Sequence, residues 1–445
     1  MFKRIVCLTC ALAVYLGTPL LHELDVRGTA AFAAEDGEKP KPETRRIPAM
    51  SEATYKKLSE AQELVEAKDF AGAKQVLNDM LKRRDRMNGN EVGQVFNMLG
   101  FVYFSEEKYG EAINAYKEVL AQGENIPEGL EVQTLYTLAQ LSFVNENYQQ
   151  ALDYMRQWQQ RADNPGPDPH IFMGQVYYQM ENFPAATEQI ERGIALAKER
   201  QIPVKEQWLA LLNFLYYEQE KWPKVLETLE TLVTRFPKRQ YWVQLAGIHA
   251  QLGNEKESLW TYEAADVGGY LTEQGDLTNY AGTLMQASQY WRAARVLERG
   301  IQEKIIERTD ETLLQLGQAW QLAQETKKAI PVLEEAAKLS DEGTIYERLA
   351  SLYLDSDNNE ACVKAADGAL DKGGLRQEQT VFLVKGMCLS NMGERNQARE
   401  AFVECRTIAR REDDDSNRRI CQQWITYLDN EEKREQELQR AAAQL

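Results

Sequence analysis

Apolar positions recur at intervals of three and four residues along nearly the whole chain from Ser51 onward, with polar positions between them. No stretch alternates apolar and polar residues with a period of two. Residues three and four apart share one face of a helix, so this spacing predicts amphipathic α-helices and an all-α fold. We expect the prolines to lie between helices, where they cost no backbone hydrogen bond.

The predicted helices come in pairs that repeat every 33 to 39 residues. Each pair has a landmark residue, aromatic in most units, that a small residue follows three positions later. The ten landmarks are Phe70, Tyr109, Tyr148, Phe183, Trp222, Glu255, Tyr290, Thr326, Asn359 and Arg395. A small residue stands nine positions before every landmark except at Asn213, and a bulky residue stands seven positions after every landmark except at Ala366. Helices approach closely only where small side chains meet, so each unit predicts a hairpin in which the two small residues touch. A single hairpin cannot bury its own apolar face, so the hairpins are expected to stack.

The second of the ten repeats carries the residues that resemble a tetratricopeptide repeat. They are Leu99, Gly100, Tyr103, Tyr109, Ala112 and Tyr116. Phe236-Pro237 matches the closing proline of that family, and the resemblance covers about residues 51–411. It implies a right-handed α-solenoid of about ten helix hairpins. Residues 412–445 are predicted to form a capping helix over the open end of the stack.

The N-terminus carries the pattern of an export signal. Lys3 and Arg4 precede an apolar run from Ile5 to Leu21, and Ala31-Phe32-Ala33 places small residues at a cleavage spacing. We predict a signal peptide over residues 1–33, a disordered linker over 34–50 and no membrane span after cleavage. An uncleaved inner-membrane anchor is the open alternative, because the apolar run is long for a signal peptide and short for a membrane span.

Four cysteines remain after the predicted signal peptide, all in the last quarter of the chain. Export permits disulfides, and neighbouring helices of the predicted stack bring these residues close together in two pairs. The predicted disulfides are Cys362–Cys388 and Cys405–Cys421. Four buried free thiols are the open alternative, because cysteine is common on packing faces.

The chain's charge and motifs exclude several functions. Its formal net charge is −17, which argues against nucleic acid as a partner because phosphate binding needs a basic face. His170 and His249 lack plausible catalytic partners nearby in sequence, and no phosphate-binding loop, nucleophile motif or metal-ligand spacing occurs. We therefore predict a protein that is not an enzyme and holds no metal or cofactor.

In a tetratricopeptide stack the first helix of each unit lines the concave side. The residues predicted to line a partner-binding groove are Phe101, Phe104, Tyr136, Gln140, Phe143, Gln175, Tyr178, Phe214 and Tyr217. Aromatic anchors and amides suit an extended or helical peptide. The alternative is that these aromatics only pack the repeats, and the sequence leaves the two interpretations open.

The chain as a whole also resembles exported tetratricopeptide proteins of Gram-negative bacteria that are described as components of TonB systems. This resemblance implies a periplasmic scaffold whose protein or peptide partners are TonB-, ExbB- or ExbD-type envelope proteins. The alternative is an envelope-assembly adaptor for outer-membrane protein, polysaccharide or cell-wall machinery.

Overall fold

The structure, a computed structural model, describes residues 45–442. Within this range the chain forms twenty-one α-helices and two short 3-10 turns, with no β-strand. It divides into two compact units, the first ending at Thr134 and the second beginning at Leu135.

The first unit is a stack of two hairpins and the start of a third. Its helices are α1 (Glu52–Glu66), α2 (Phe70–Leu81), α3 (Gly89–Ser105), α4 (Tyr109–Leu120) and the first part of α5 (Glu128–Val144). Helix α1 packs on α2 and α3 packs on α4, while α1 also contacts α3. Leu77, Val95 and Val102 are fully buried in the core between these helices.

The second unit continues the same pairing to the end of the described chain. Its helices after α5 are α6 (Tyr148–Arg161), α7 (Asp168–Gln179), α8 (Phe183–Glu199), α9 (Glu206–Glu218), α10 (Trp222–Arg235), α11 (Arg239–Gln251), α12 (Glu255–Val267), α13 (Gln274–Gln286), α14 (Tyr290–Gln302), α15 (Asp310–Leu322), α16 (Thr326–Leu339), α17 (Thr344–Asp355), α18 (Asn359–Lys372), α19 (Glu378–Asn391), α20 (Arg395–Arg411) and α21 (Asp415–Ala442). Each helix from α7 to α20 packs against the next one in the chain, and α21 packs on α20 and α19. The predicted fold class, an all-α solenoid of about ten helix hairpins followed by one further helix, is confirmed. Its handedness stays a prediction.

The phase of the repeat is the one that the sequence predicts. In all ten hairpins the landmark is the first residue of the second helix. Two positions before each landmark the backbone is left-handed, with φ from 54° at Glu220 to 81° at Gly393. A left-handed residue just after a helix ends the helix and reverses the chain, so this turn sets the hairpin geometry.

Helix contact inside the hairpins includes the predicted one and adds a second. The small residue three positions after each landmark is buried, as Ala73 and Ala398 illustrate. The two small residues meet as predicted in the hairpin where the Ser258 hydroxyl donates to the Ala246 carbonyl at 2.9 Å.

Where the first helix carries glycine, that glycine also lies against the bulky side chain seven positions after the landmark. A Cβ on Gly317 would stand 2.4 Å from Leu333 Cδ2. Glycine is required there because a large side chain already occupies the space that a methyl group would need.

Pro331 contradicts the expectation that the prolines lie between helices, because it lies inside α16. Proline has no N–H, so this residue cannot donate the hydrogen bond that a helix residue makes to the fourth residue before it. Position 331 is the sixth residue of a helix that begins at Thr326 and continues to Leu339. Packing of Ala329, Leu333 and Ala336 in the core therefore keeps the helix intact beyond the proline.

The predicted signal peptide and residues 34–44 of the predicted linker lie outside the described residues. The last six residues of the predicted linker, 45–50, are held against the first unit, whereas the sequence predicts disorder through residue 50. Arg45 forms an ion pair with Glu131 at 2.6 Å, and Asn90 donates a hydrogen bond to the Pro48 carbonyl at 3.0 Å. No helix between residues 45 and 442 is both long and apolar enough to cross a bilayer.

The start of α1 is joined to α3 by one buried carboxylate. Glu91 accepts hydrogen bonds from the Ser51 hydroxyl at 2.6 Å and from the Ser51 and Asn88 backbone N–H groups at 2.9 Å each. Burial opposes ionisation of Glu91, but these donors outweigh it and lower its pKa to about 2. Ionised Glu91 therefore stabilises the contact between the start of α1 and the start of α3.

Candidate peptide-binding surface

The predicted groove residues divide between the two compact units. In the first unit, Phe101 and Phe104 lie on α3, three positions apart. Phe101 is half-buried and packs against the core of this unit, whereas Phe104 is 44% exposed. The Phe104 ring lies 6.1 Å from the ring of Tyr109, the landmark of the same hairpin. Phe104 is therefore the one of the two that offers apolar surface to a partner.

In the second unit the predicted residues lie on three successive first helices. Helix α5 carries Tyr136, Gln140 and Phe143, α7 carries Gln175 and Tyr178, and α9 carries Phe214 and Tyr217. Within each helix they are three or four positions apart and so share one face. All are half-buried except Tyr217, whose side chain is 43% exposed.

The aromatic members of this set, here called the aromatic seam, take part in three local groups of ring contacts. The seam consists of Tyr136, Phe143, Tyr178, Phe214 and Tyr217. On each helix the last of these rings packs on the landmark five positions later, with centroid distances of 5.8 Å for Phe143–Tyr148, 6.3 Å for Tyr178–Phe183 and 5.4 Å for Tyr217–Trp222. Edge-to-face contacts join successive hairpins, such as Tyr178–Phe214 at 5.5 Å.

The structure thus assigns packing contacts to the rings that the sequence offered as binding residues. The contacts of Phe143 with Phe172 and of Tyr178 with Phe214 join successive hairpins, and aromatic pairs at these distances stabilise the stack. The exposed fraction is largest at Tyr217, the last seam residue.

Trp158 and Trp222 are half-buried and extend the same surface, although they were not predicted as part of it, and each has its ring 5.4 Å from a seam ring. Phe172, whose ring lies 6.3 Å from that of Tyr136, is buried beneath them. The landmark aromatics were the signal that could have identified Trp222.

Two amides lie among the rings. Gln140 and Gln175 are half-buried, and neither side chain makes a hydrogen bond within residues 45–442. An amide carries both a donor and an acceptor, as a peptide group does. The seam and these amides can therefore provide apolar contact and backbone hydrogen bonds, and none of these side chains carries a charge.

One buried polar atom interrupts the small-residue pattern beneath this surface. Asn213 occupies the position on α9 where other hairpins have glycine or alanine. Its Oδ1 is buried and has no hydrogen-bond partner within the described residues. Such an acceptor destabilises the fold, because it has lost water without gaining a donor.

The C-terminal cysteines lie in the two predicted pairs. The sulfurs of Cys362 and Cys388 are at disulfide distance with Cα atoms 6.3 Å apart, and those of Cys405 and Cys421 are at disulfide distance with Cα atoms 6.2 Å apart. The first pair joins α18 to α19 and the second joins α20 to α21. Pairing at this distance indicates an oxidising compartment. Across residues 45–442, no three His, Cys, Asp or Glu side chains are grouped as a metal site would require.

Residues 97–167 match the tetratricopeptide repeat family. No curated protein matches the chain by sequence. Among solved structures the chain is similar to MamA, with 19% identity over 37% of this chain and 91% of that chain and a TM-score of 0.32. It is also similar to a tetratricopeptide repeat protein from Parabacteroides merdae (14% identity, 59% of this chain, 98% of that chain, TM-score 0.31) and to the C-terminal part of a TPR repeat-containing protein from Cytophaga hutchinsonii (13%, 55%, 98%, TM-score 0.39). The family match and the regular hairpin pairing support a tetratricopeptide-repeat protein, and such proteins generally act as protein-binding scaffolds.

Proposed function

We propose that this protein is a non-catalytic scaffold that binds a segment of a partner protein along the aromatic seam of its second unit. The observation that supports the proposal most is the exposure of Tyr217 together with the unpartnered amides of Gln140 and Gln175. A seam that served only packing would gain from burying Tyr217 completely. An aromatic ring with a polar tip is a favoured anchor in protein interfaces.

The bound segment is extended or helical and is recognised without its terminal carboxylate. Capture of a C-terminal carboxylate needs lysine or arginine donors, and the seam with its two amides is uncharged. Apolar side chains of the ligand would lie on the exposed parts of the rings. Its backbone would exchange hydrogen bonds with Gln140 and Gln175.

We further propose that the protein acts in the periplasm and that its partners are envelope proteins of the TonB–ExbB–ExbD type, with a part in outer-membrane uptake. Three observations support this proposal. The N-terminal sequence has the pattern of an export signal, the C-terminal cysteines lie at disulfide distance in two pairs, and the whole chain resembles exported tetratricopeptide proteins of that description.

Site-specific photocrosslinking in living cells tests both parts of this proposal. A photoreactive phenylalanine analogue replaces Tyr217 in one strain and Gln175 in another, and mass spectrometry identifies the adducts. The matched control places the probe at Trp260, an aromatic residue that is 60% exposed on α12 and lies outside the seam.

We expect the same protein to be captured at Tyr217 and Gln175 and not at Trp260. Capture of a TonB-system protein supports the scaffold and its pathway together. Capture of assembly factors, porins or cell-wall enzymes at the seam supports the scaffold but replaces the pathway with envelope assembly. Equal capture at all three positions, or none at the two seam positions, means that the seam only packs the hairpins.

A further inference from the structure

Helix α21 is held against α20, the second helix of the tenth hairpin, in two different ways along its length. The two helices run antiparallel, and near the start of α20 its arginines pair with carboxylates on α21. Arg395 forms an ion pair with Glu435, and Arg399 donates to Asp429 at 2.9 Å. This half of the interface shows how α20 uses its arginines when a carboxylate stands opposite them.

In the other half, within the described residues, no arginine of one helix pairs with a carboxylate of the other. Farther along α20 come Arg406 and Arg410, and the facing part of α21 supplies Arg418, Arg419 and glutamines instead of acids. These side chains line an open cleft of about 820 Å³, here called the arginine cleft, whose lining residues are Arg406, Thr407, Arg410, Arg418, Arg419, Gln422 and Gln423. None of the lining residues is acidic, on a chain with 69 Asp and Glu against 52 Lys and Arg.

Three of the four arginines in the arginine cleft have no carboxylate partner within residues 45–442. Arg418 pairs with Asp415 at 2.8 Å, and Arg419 donates only to the backbone carbonyl of Asp415. Arg406 donates to the neutral amide of Gln422 at 2.8 Å. Arg410 is exposed and makes no ion pair or side-chain hydrogen bond within residues 45–442. Like charges one helical turn apart repel each other, so the free protein bears a cost that an anion would relieve.

Both walls of the cleft are fixed in position. Cys405 and Cys421, whose sulfurs are at disulfide distance, directly precede Arg406 and Gln422. The Arg406–Gln422 hydrogen bond lies beside them. The side chains on each wall are four positions apart, so each wall is a single helix face. Guanidinium groups held in this way can bind carboxylates with two parallel hydrogen bonds, as Arg395 does with Glu435.

We propose that the arginine cleft is a second binding site, separate from the aromatic seam, and that it takes a protein segment with clustered Asp or Glu side chains. Its carboxylates would pair with Arg406, Arg410 and Arg419 and so complete the arginine–carboxylate ladder of this helix pair. The volume of the cleft is larger than a single small oxyanion needs. Gln422 and Gln423 add amides that can bond a peptide backbone.

Fluorescence anisotropy with a labelled oligoglutamate peptide tests this proposal on the full-length protein. Two variants remove one wall each: Arg406→Gln with Arg410→Gln, and Arg418→Gln with Arg419→Gln. The matched control, Arg156→Gln with Arg192→Gln, removes the same charge from two exposed arginines that pair with acids on their own helices. Circular dichroism verifies that every variant is folded, and oligoglutamine replaces oligoglutamate as the neutral ligand.

We expect the wild type to bind oligoglutamate, and not oligoglutamine, with an affinity that decreases as salt is added. Each wall variant should bind about tenfold more weakly or worse, and the control variant within about twofold of the wild type. Equal binding by the wall variants, or no binding at all, overturns the proposal. So does tighter binding of a sulfated polysaccharide that the peptide cannot displace, or displacement of the peptide by an equal concentration of inorganic phosphate. Crosslinking at Tyr217 should be unchanged in the wall variants, which separates this site from the proposed groove.

Discussion

The substitution Gly386→Ala tests whether close helix contact, and not helix propensity, decides the small-residue positions of the hairpins. Gly386 lies inside α19, where a Cβ would stand 2.6, 2.7 and 2.9 Å from three ring atoms of Phe402. The ring has no room to move aside, because Phe402 is 0% exposed and stacks on Trp424 at 5.3 Å. The added methyl group must therefore displace the ring or separate α19 from α20.

The expected magnitude follows from two opposing terms. Replacing glycine by alanine inside a helix contributes about 1 kcal/mol of stability, and overpacking a rigid core costs about 1–3 kcal/mol. Gly247→Ala is the matched control, because Gly247 lies inside α11 and a Cβ there meets nothing within 4 Å. The control contains only the propensity term. Each variant's change in unfolding free energy is measured against the parent chain. We expect the change in Gly386→Ala to be less favourable than the change in Gly247→Ala by about 2 kcal/mol.

Hydrogen exchange measured by mass spectrometry is the appropriate assay, because stacked repeats open locally and need not unfold as one unit. The net loss expected for Gly386→Ala, about 1 kcal/mol against the parent chain, corresponds to about a fivefold change in the local opening equilibrium of α19 and α20. Peptides from α19 and α20 should exchange faster in Gly386→Ala, and peptides from α11 should exchange more slowly in Gly247→Ala. If Gly386→Ala slows exchange as much as its control does, the ring yields and the contact argument is refuted.

A double variant separates the ring contact from other effects. Phe402→Leu removes the ring atoms nearest to the added methyl group and is destabilising by itself. In the background of Phe402→Leu, the change Gly386→Ala should cost less than it does beside the ring. This coupling is the part of the free energy that belongs to the contact between the two residues. Strictly additive effects would assign the cost elsewhere in α19.

Three further predictions concern other parts of the chain. The pKa of Glu91 is lowered from its ordinary 4.5 to about 2, so the stability that its ionisation provides, up to about 3 kcal/mol, is present above pH 4.5 and is lost as the pH falls toward 2. The variant Glu91→Gln should be less stable at neutral pH, and its stability should change less as the pH is lowered, measured by hydrogen exchange of the first unit in urea at each pH. Asn213→Ala removes a buried acceptor that has no partner within the described residues, so it should stabilise α9 and α10. The gain should exceed by about 1 kcal/mol that of the control Asn279→Ala on the exposed face of α13, and a loss of stability would show that the Asn213 amide is paired. Alkylation of denatured, unreduced protein should label none of the four C-terminal cysteines, and four labelled thiols would exclude the disulfides.

The site was predictable only in part. The helix faces of Tyr136, Tyr178 and Tyr217 follow from spacing, because residues on one helix are related by a fixed rotation. How much of each ring remains exposed depends on its neighbours in the next hairpin, such as Phe214 against Tyr178. Those neighbours are more than thirty residues away in sequence, so no local pattern specifies the contact. Packing therefore decided that Tyr217 is exposed while the other seam rings are half-buried.

By itself the sequence determined the fold class, the hairpin count and the first residue of every second helix, because all three depend on local periodicity and on small residues repeated at constant spacing. Only the tertiary structure decided what else those small residues touch, as Gly386 shows by its contact with Phe402. It alone also revealed the arginine cleft. Arg406 and Arg418 each look like an ordinary solvated residue on a polar helix face, and their charges act together only because the packing of α21 on α20 brings the two faces opposite each other.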